Sequence, residues 1–273
     1  MATDIKTIFN YMGNKTAIAE FVIRHIPPHR TYIEPFGGTM AILLNKAQSE
    51  FEIYNDYNKN LSNLFEIIRT RKDEFVRNVQ DLPINEVIYD KFYDQIWVEG
   101  DELESAVRYF YIMKLCYMGK FTGGFVLDLK NNFVRSIEES VRDIEAIHRR
   151  IKSVLVLNRD YKDLITKYGQ KEDVFINLDP PYVDSETYYQ KLAGAFTEAE
   201  HIKLRDMLAK CKCRWMLSYE KSDLVSDLYQ DFKILSTSKY RQSKYTMSEE
   251  VLVVNYQPEA TLFDLETTRA LNL

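Results

Sequence analysis

Val174-Phe175-Ile176-Asn177-Leu178 runs straight into Asp179-Pro180-Pro181-Tyr182, and no other stretch so limits what this chain can fold into. A short, largely apolar run bounded by turn residues reads as a buried strand. The double proline stops it abruptly, because proline fixes φ and has no N–H to offer a neighbouring strand. Similar strand signals stand at Thr31 to Glu34, Phe51 to Tyr54, Ser153 to Leu157, Cys213 to Ser218, Phe232 to Leu235 and Val251 to Val254. Helical spacing separates most of them: Met40, Ile42, Leu43, Leu44 and Ala47; Leu61, Leu64, Phe65 and Ile68; and the stretch Thr197 to Ala209. Such alternation predicts an α/β fold, a mostly parallel seven-stranded sheet with helices on both faces.

The alternation breaks from about residue 69 to 152, a helical and irregular stretch with a glycine-rich kink at Gly119-Lys120-Phe121-Thr122-Gly123-Gly124. Residues 1–68 and 153–256 are therefore expected to form one domain, with 69–152 inserted into it and 257–273 as a tail. In that tail, Leu262 and Phe263 either pack back on the core or belong to a short docking peptide beginning near Gln257.

With 45% hydrophobic and 28% charged residues the chain can build a substantial core. No apolar run is long enough to span a bilayer, and Met1-Ala2-Thr3-Asp4 lacks a signal-peptide pattern. The three cysteines, Cys116, Cys211 and Cys213, are odd in number, and the four histidines are scattered. Neither a metal site nor a disulfide framework is expected, and the chain reads as cytoplasmic. A net charge of −5 counts mildly against nucleic acid, but its distribution does not. Basic side chains interleave with aromatics in 108–152 and again from Lys233 to Tyr245.

At the end of the Val174 strand a carboxylate (Asp179), a rigid carbonyl before proline and an aromatic ring (Tyr182) converge. Two acceptors and a stacking face suit an exocyclic amino group on a flat ring; the bland alternative is a polar turn closing a strand. Glu34-Pro35-Phe36-Gly37-Gly38 is a second strand-to-helix turn, with glycines that permit close backbone approach. Asp56 ends the next strand about twenty residues later, where an acid can hold ribose hydroxyls. G-x-G-x-x-G is absent, which disfavours NAD, and Gly13-Asn14-Lys15-Thr16 lacks the first glycine and the preceding strand of a phosphate loop.

Taken in order, Tyr11-x-Gly13-x-Lys15, Glu34-Pro35-Phe36-Gly37-Gly38, Asn55-Asp56, Asp160-Tyr161 and Asp179-Pro180-Pro181-Tyr182 resemble the motifs of Dam-type (alpha-class) DNA N6-adenine methyltransferases. Phe196-Thr197-x-x-x-His201-x-x-Leu204 and Trp215-Met216-Leu217-Ser218-Tyr219 resemble their later motifs. The resemblance covers residues 8–68 and 153–256 and implies a Rossmann-like methyltransferase fold. It implies S-adenosylmethionine as methyl donor, with Tyr11, Lys15, Glu34, Asp56 and Asp179 lining its site. Phe36, Gly37 and Gly38 are expected to shape the floor, Asp160 to meet the cofactor's adenine amino group, and Tyr161 to lie against that ring. Asp179, Pro180, Pro181 and Tyr182 form the expected catalytic set, acting on adenine in double-stranded DNA.

Two departures stand out. The family pattern F-x-G-x-G reads Phe36-Gly37-Gly38-Thr39-Met40 here, so its second glycine is displaced. The place of the DNA-reading hairpin is taken by Tyr117-Met118-Gly119-Lys120-Phe121, which leaves the target sequence open. Lys120 and Arg135 are the candidates for reading bases, and Lys239, Tyr240, Arg241 and Lys244, in an expected loop between the last two strands, for holding phosphates. Hydrogen bonds to Asp179 and the Pro180 carbonyl localise the adenine amino lone pair, and an extruded base stacks on Tyr182. N4-cytosine or RNA adenine methylation stays open, as does a catalytically silent DNA-binding module. C5-cytosine chemistry is disfavoured, since no cysteine follows a proline. A bacterial or phage origin and a restriction endonuclease partner also remain open.

Overall fold

The computed structural model describes residues 5–9, 11, 13–96, 98, 100–126, 133–182, 196–241 and 246–258. Seven strands form one sheet: β1 (Thr31–Glu34), β2 (Phe51–Asn55), β3 (Leu155–Leu157), β4 (Val174–Leu178), β5 (Arg214–Glu220), β6 (Lys233–Arg241) and β7 (Thr246–Val254). Their order is β3-β2-β1-β4-β5-β7-β6. The pairs among β1 to β5 are parallel, and β7 lies antiparallel between β5 and β6. This bears out the expected seven-stranded, mostly parallel sheet. Strand order reverses between β1 and β4, where Ile33 stands opposite Ile176. A crevice opens at the carboxyl ends of strands on either side of such a switch.

The strands bury both faces by plain alternation. Tyr32, Tyr54, Phe175, Met216, Leu252 and Val254 point into one core. Ile33, Ile53, Ile176, Trp215, Leu217, Val251 and Val253 point into the other. The first core is covered by α1 (Ala19–Arg24), α2 (Ala41–Asn45), α3 (Lys59–Gln80), α4 (Glu86–Asp94), α5 (Glu102–Leu115) and α6 (Phe133–Ile151). The second is covered by α7 (Tyr161–Tyr168), α8 (Glu198–Leu208) and α9 (Asp223–Leu228). The expected limit after residue 68 falls inside α3, just ahead of a kink at Arg71 (φ −133°, ψ 36°). Beyond the kink, Phe75, Tyr109, Phe110 and Ile144 share one apolar cluster with the sheet residues Tyr32 and Tyr54.

The last two strands run longer than their apolar stretches. Lys239, Tyr240 and Arg241, expected in a loop, lie in β6 opposite Ser248, Met247 and Thr246. Backbone pairing carries this hairpin past the point where burial stops requiring apolar side chains, so composition does not mark its end. Lys244 and residues 259–273 of the tail lie outside the described residues. No helix of the described residues is long and apolar enough to cross a membrane.

Candidate active site

The ends of β1, β2 and β3, which lie on one side of the switch, are stitched together by one buried side chain. Asn55 Nδ2 donates to the carbonyls of Pro35 (2.8 Å) and Arg159 (2.9 Å), and its Oδ1 accepts from Arg159 N–H at 2.8 Å. The turns after β1, β2 and β3 are thereby held in fixed relation. In the first turn Gly37 N–H donates to the Asn55 carbonyl (2.8 Å), and a Cβ on Gly37 would stand 2.2 Å from the Tyr54 ring. Only glycine fits there. Met40 occupies the displaced glycine position and keeps a left-handed backbone, φ +60°, with its side chain fully buried.

These turns wall a cavity of about 310 Å³. Tyr11, Lys15, Glu34, Phe36, Gly37, Gly38, Asp56, Asp160, Tyr161 and Asp179, all expected from the sequence to contact the cofactor, line it together. Pro181 lines it as well, whereas Pro180 is buried and is not among the lining residues.

Two acids mark one side. Asp56 accepts from the N–H groups of Gly38 (Oδ2, 2.9 Å) and Asn58 (Oδ1, 2.8 Å). Burial, with the Asp179 charge adding to it, pushes its pKa up to about 6 against the pull of those two bonds. Glu34 accepts the Tyr32 hydroxyl at 2.6 Å, and its Oε2 is buried without a hydrogen-bond partner among the described residues. Burial pushes its pKa up to about 7. A buried carboxyl group short of donors is stabilised by gaining one, and most by a cation.

The same cavity carries an aromatic slot. The rings of Phe36 and Tyr161 stand 5.1 Å apart, and Phe196 closes on both, at 5.8 and 5.7 Å. Asp160 caps α7 by accepting from Lys162 N–H (2.9 Å). Lys162 bridges Asp160 Oδ2 (3.2 Å) and Glu200 Oε2 (2.9 Å), and the Tyr161 hydroxyl donates to the same Glu200 oxygen at 3.0 Å. Phe196, Lys162 and Glu200 were not foreseen as site residues. Thr197-x-x-Glu200 reads in sequence as a helix-capping pair, yet Thr197 makes no side-chain cap bond and Glu200 is engaged by α7 instead.

Beside these residues, Lys15 Nζ lies 2.7 Å from Asp179 Oδ1 and donates to the Tyr182 hydroxyl, which donates to Glu250 Oε2 at 2.6 Å. Ser218 Oγ lies 3.2 Å from both Asp179 Oδ1 and the Leu178 carbonyl. The chain start, the β4 turn and β7 thus meet around Lys15. Acids for a cation and for hydroxyls, an aromatic slot and a carboxylate beside the slot fit a sulfonium nucleoside with an amino acid arm.

The base-reading candidates are scattered. Lys120 sits half-buried in a small hairpin closed by an antiparallel bridge between Cys116 and Phe125, with left-handed Gly119 and Gly124. Arg135 belongs to the first turn of α6, and its side chain lies outside the described residues.

Residues 11–243 match the family of D12 class N6 adenine-specific DNA methyltransferases. The chain is 24% identical over 236 residues to the Type II methyltransferase M.CviBI of Paramecium bursaria Chlorella virus NC1A, covering 84% of this chain and 88% of that protein. It is 24% identical over 250 residues to the DNA adenine methylase of Escherichia coli K12, covering 87% and 88%. To the DNA adenine methylase of Serratia marcescens it is 29% identical over 238 residues, covering 82% and 87%.

Proposed function

The chain belongs to the D12 class of N6 adenine-specific DNA methyltransferases, and on that premise we propose how its own residues serve the reaction. It methylates the N6 amino group of adenine in DNA with S-adenosylmethionine as donor. When bound, that cofactor supplies a methyl carbon made electrophilic by its sulfonium. Glu34 would take the ammonium of the methionine arm, Asp56 the ribose hydroxyls, and the slot of Phe36, Tyr161 and Phe196 the adenine, with Asp160 at its amino group. Lys15 holds the Asp179 carboxylate in place. Asp179 and the Pro180 carbonyl accept the two N–H bonds of the target amino group, which localises its lone pair for in-line attack.

The observation that carries this reading is the meeting of Asp179 with the nine other cofactor candidates in one cavity wall. In a duplex the target amino group is inaccessible, so the base is extruded and stacks on Tyr182. The insertion 69–152 reads sequence through Lys120 and Arg135, while Lys239, Tyr240, Arg241 and Lys244 follow the backbone of double-stranded DNA. The enzyme acts in the cytoplasm, encoded by a bacterium or a phage, and a restriction endonuclease is one candidate partner beside a solitary role. Transfer of labelled methyl groups to unmethylated duplex, followed by nucleoside analysis, tests the reading. N6-methyladenine is expected; N4-methylcytosine, or no transfer, overturns it.

A further inference from the structure

Glu250 has no part in the roles assigned above, yet its side chain is fully buried in the sheet. Pairing fixes its position from both sides, opposite Glu220 of β5 and Thr237 of β6. Strand alternation sends its neighbour Glu249 outward to Lys221 (3.0 Å) and turns Glu250 inward. A buried carboxylate is costly unless donors compensate. Two that do so belong to the candidate site: the Tyr182 hydroxyl at 2.6 Å and the Lys15 ammonium at 4.0 Å.

The same two groups set the geometry around the target. Lys15 lies 4.5 Å from the centre of the Tyr182 ring and 2.7 Å from Asp179. Glu250, Tyr182, Lys15 and Asp179 therefore form one continuous chain of contacts, anchored at the Glu250 end in a strand paired on both sides. A ring pinned at its hydroxyl loses little freedom when a flat base stacks on it. We infer that Glu250 is a positioning residue for methyl transfer: by accepting from the Tyr182 hydroxyl it sets the tilt of that ring and, through Lys15, the place of the Asp179 carboxylate. This rests on the Asp179–Tyr182 turn being the seat of the target base.

The test is steady-state methyl transfer to adenine-unmethylated genomic DNA, with S-adenosylmethionine affinity measured alongside. Glu250→Leu fills much of the same space without an acceptor, and should lower kcat by roughly ten- to a hundredfold, the usual cost of a small misplacement. Cofactor affinity should stay within about twofold, and Glu250→Gln, which restores an acceptor oxygen at the same reach, should recover most of kcat. In a Tyr182→Phe background, where no hydroxyl remains to be held, Glu250→Leu should cost clearly less than it does in the wild type. That double variant also leaves no unpaired hydroxyl, so it keeps the comparison readable if Glu250→Leu alone accumulates poorly. Wild-type kcat in Glu250→Leu, or an undiminished loss in the Tyr182→Phe background, overturns the inference alone. A wild-type enzyme that forms no N6-methyladenine overturns the underlying reading, and the inference with it.

Discussion

Glu34 and Asp56 hold protons that an exposed carboxylate would have released, and this makes the site sensitive to pH. Burial moves Glu34 from 4.5 to about 7 and Asp56 from 3.8 to about 6. A raised carboxyl pKa means the native state binds protons that the unfolded chain gives up. The associated stability is fully present below the unfolded values and is lost as pH rises through the native ones. The ligand-free protein should therefore lose thermal stability between about pH 4.5 and about pH 7. Glu34→Gln, which cannot ionise, should flatten that decline. Ionised Glu34 favours a cation, so S-adenosylmethionine binding should tighten over the same span, and calorimetry on Glu34→Gln should show that gain reduced. Asp56→Ala should weaken cofactor binding by ~1.5–3 kcal/mol, the worth of a charged hydrogen-bond partner; unchanged affinity removes Asp56 from the ribose. Asp179→Ala should abolish transfer while the fold persists, because it removes an acceptor needed in the transition state.

The turn from β1 into α2 shows how much of an element is legible without coordinates. Strand, proline and glycines announced it, and the strand limits Thr31–Glu34 and Val174–Leu178 came out as read because apolar runs and turn residues bracket both. Met40 is different. Its left-handed backbone costs ~1–2 kcal/mol for a non-glycine residue, while burying its side chain returns ~1.5–3 kcal/mol. Met40→Ala keeps the strain and loses the burial, whereas Met40→Gly loses the burial and relieves the strain. Glycine should therefore be the less damaging replacement, by about 1 kcal/mol in denaturant unfolding, reversing the usual order. A larger loss for Met40→Gly than for Met40→Ala would show that the turn is unstrained. Glu200, Lys162 and Glu250 were not legible in the same way. Each becomes a site residue only where two distant elements meet, and local pattern carries no trace of such a meeting. The ends of β6 and β7 escaped for a related reason, since pairing with a neighbour, rather than burial, holds them extended.

At the scale of the whole molecule, an acidic chain has to present a basic face to its substrate. The candidate base-reading part is fastened to the sheet through α6. Arg150 Nη1 meets Glu52 Oε2 at 2.5 Å, and Lys46 Nζ meets Glu52 Oε1 at 2.5 Å, all three largely buried on the amino-terminal side of β2. α6, whose first turn holds Arg135, thus rises from a fixed base, so a contact made there can be sequence-selective. Lys239 and Arg241 lie instead on the paired β6–β7 hairpin at the sheet edge, next to the strand that carries Glu250. The two groups should separate by salt and by sequence. Replacing Lys239, Arg241 or Lys244 by Ala should weaken binding to every duplex alike and reduce the salt slope by ~1 per residue, since each phosphate contact releases about one counterion. Replacing Lys120 or Arg135 by Ala should cost ~1–3 kcal/mol at particular base pairs and relax the preference there, because a donor to a base edge is lost. Salt titrations of binding together with sequencing of methylated bases read both effects on the same variants. If Lys120→Ala and Arg135→Ala both leave the methylated sequence context unchanged, base recognition lies elsewhere in residues 69–152, and the hairpin merely follows the backbone.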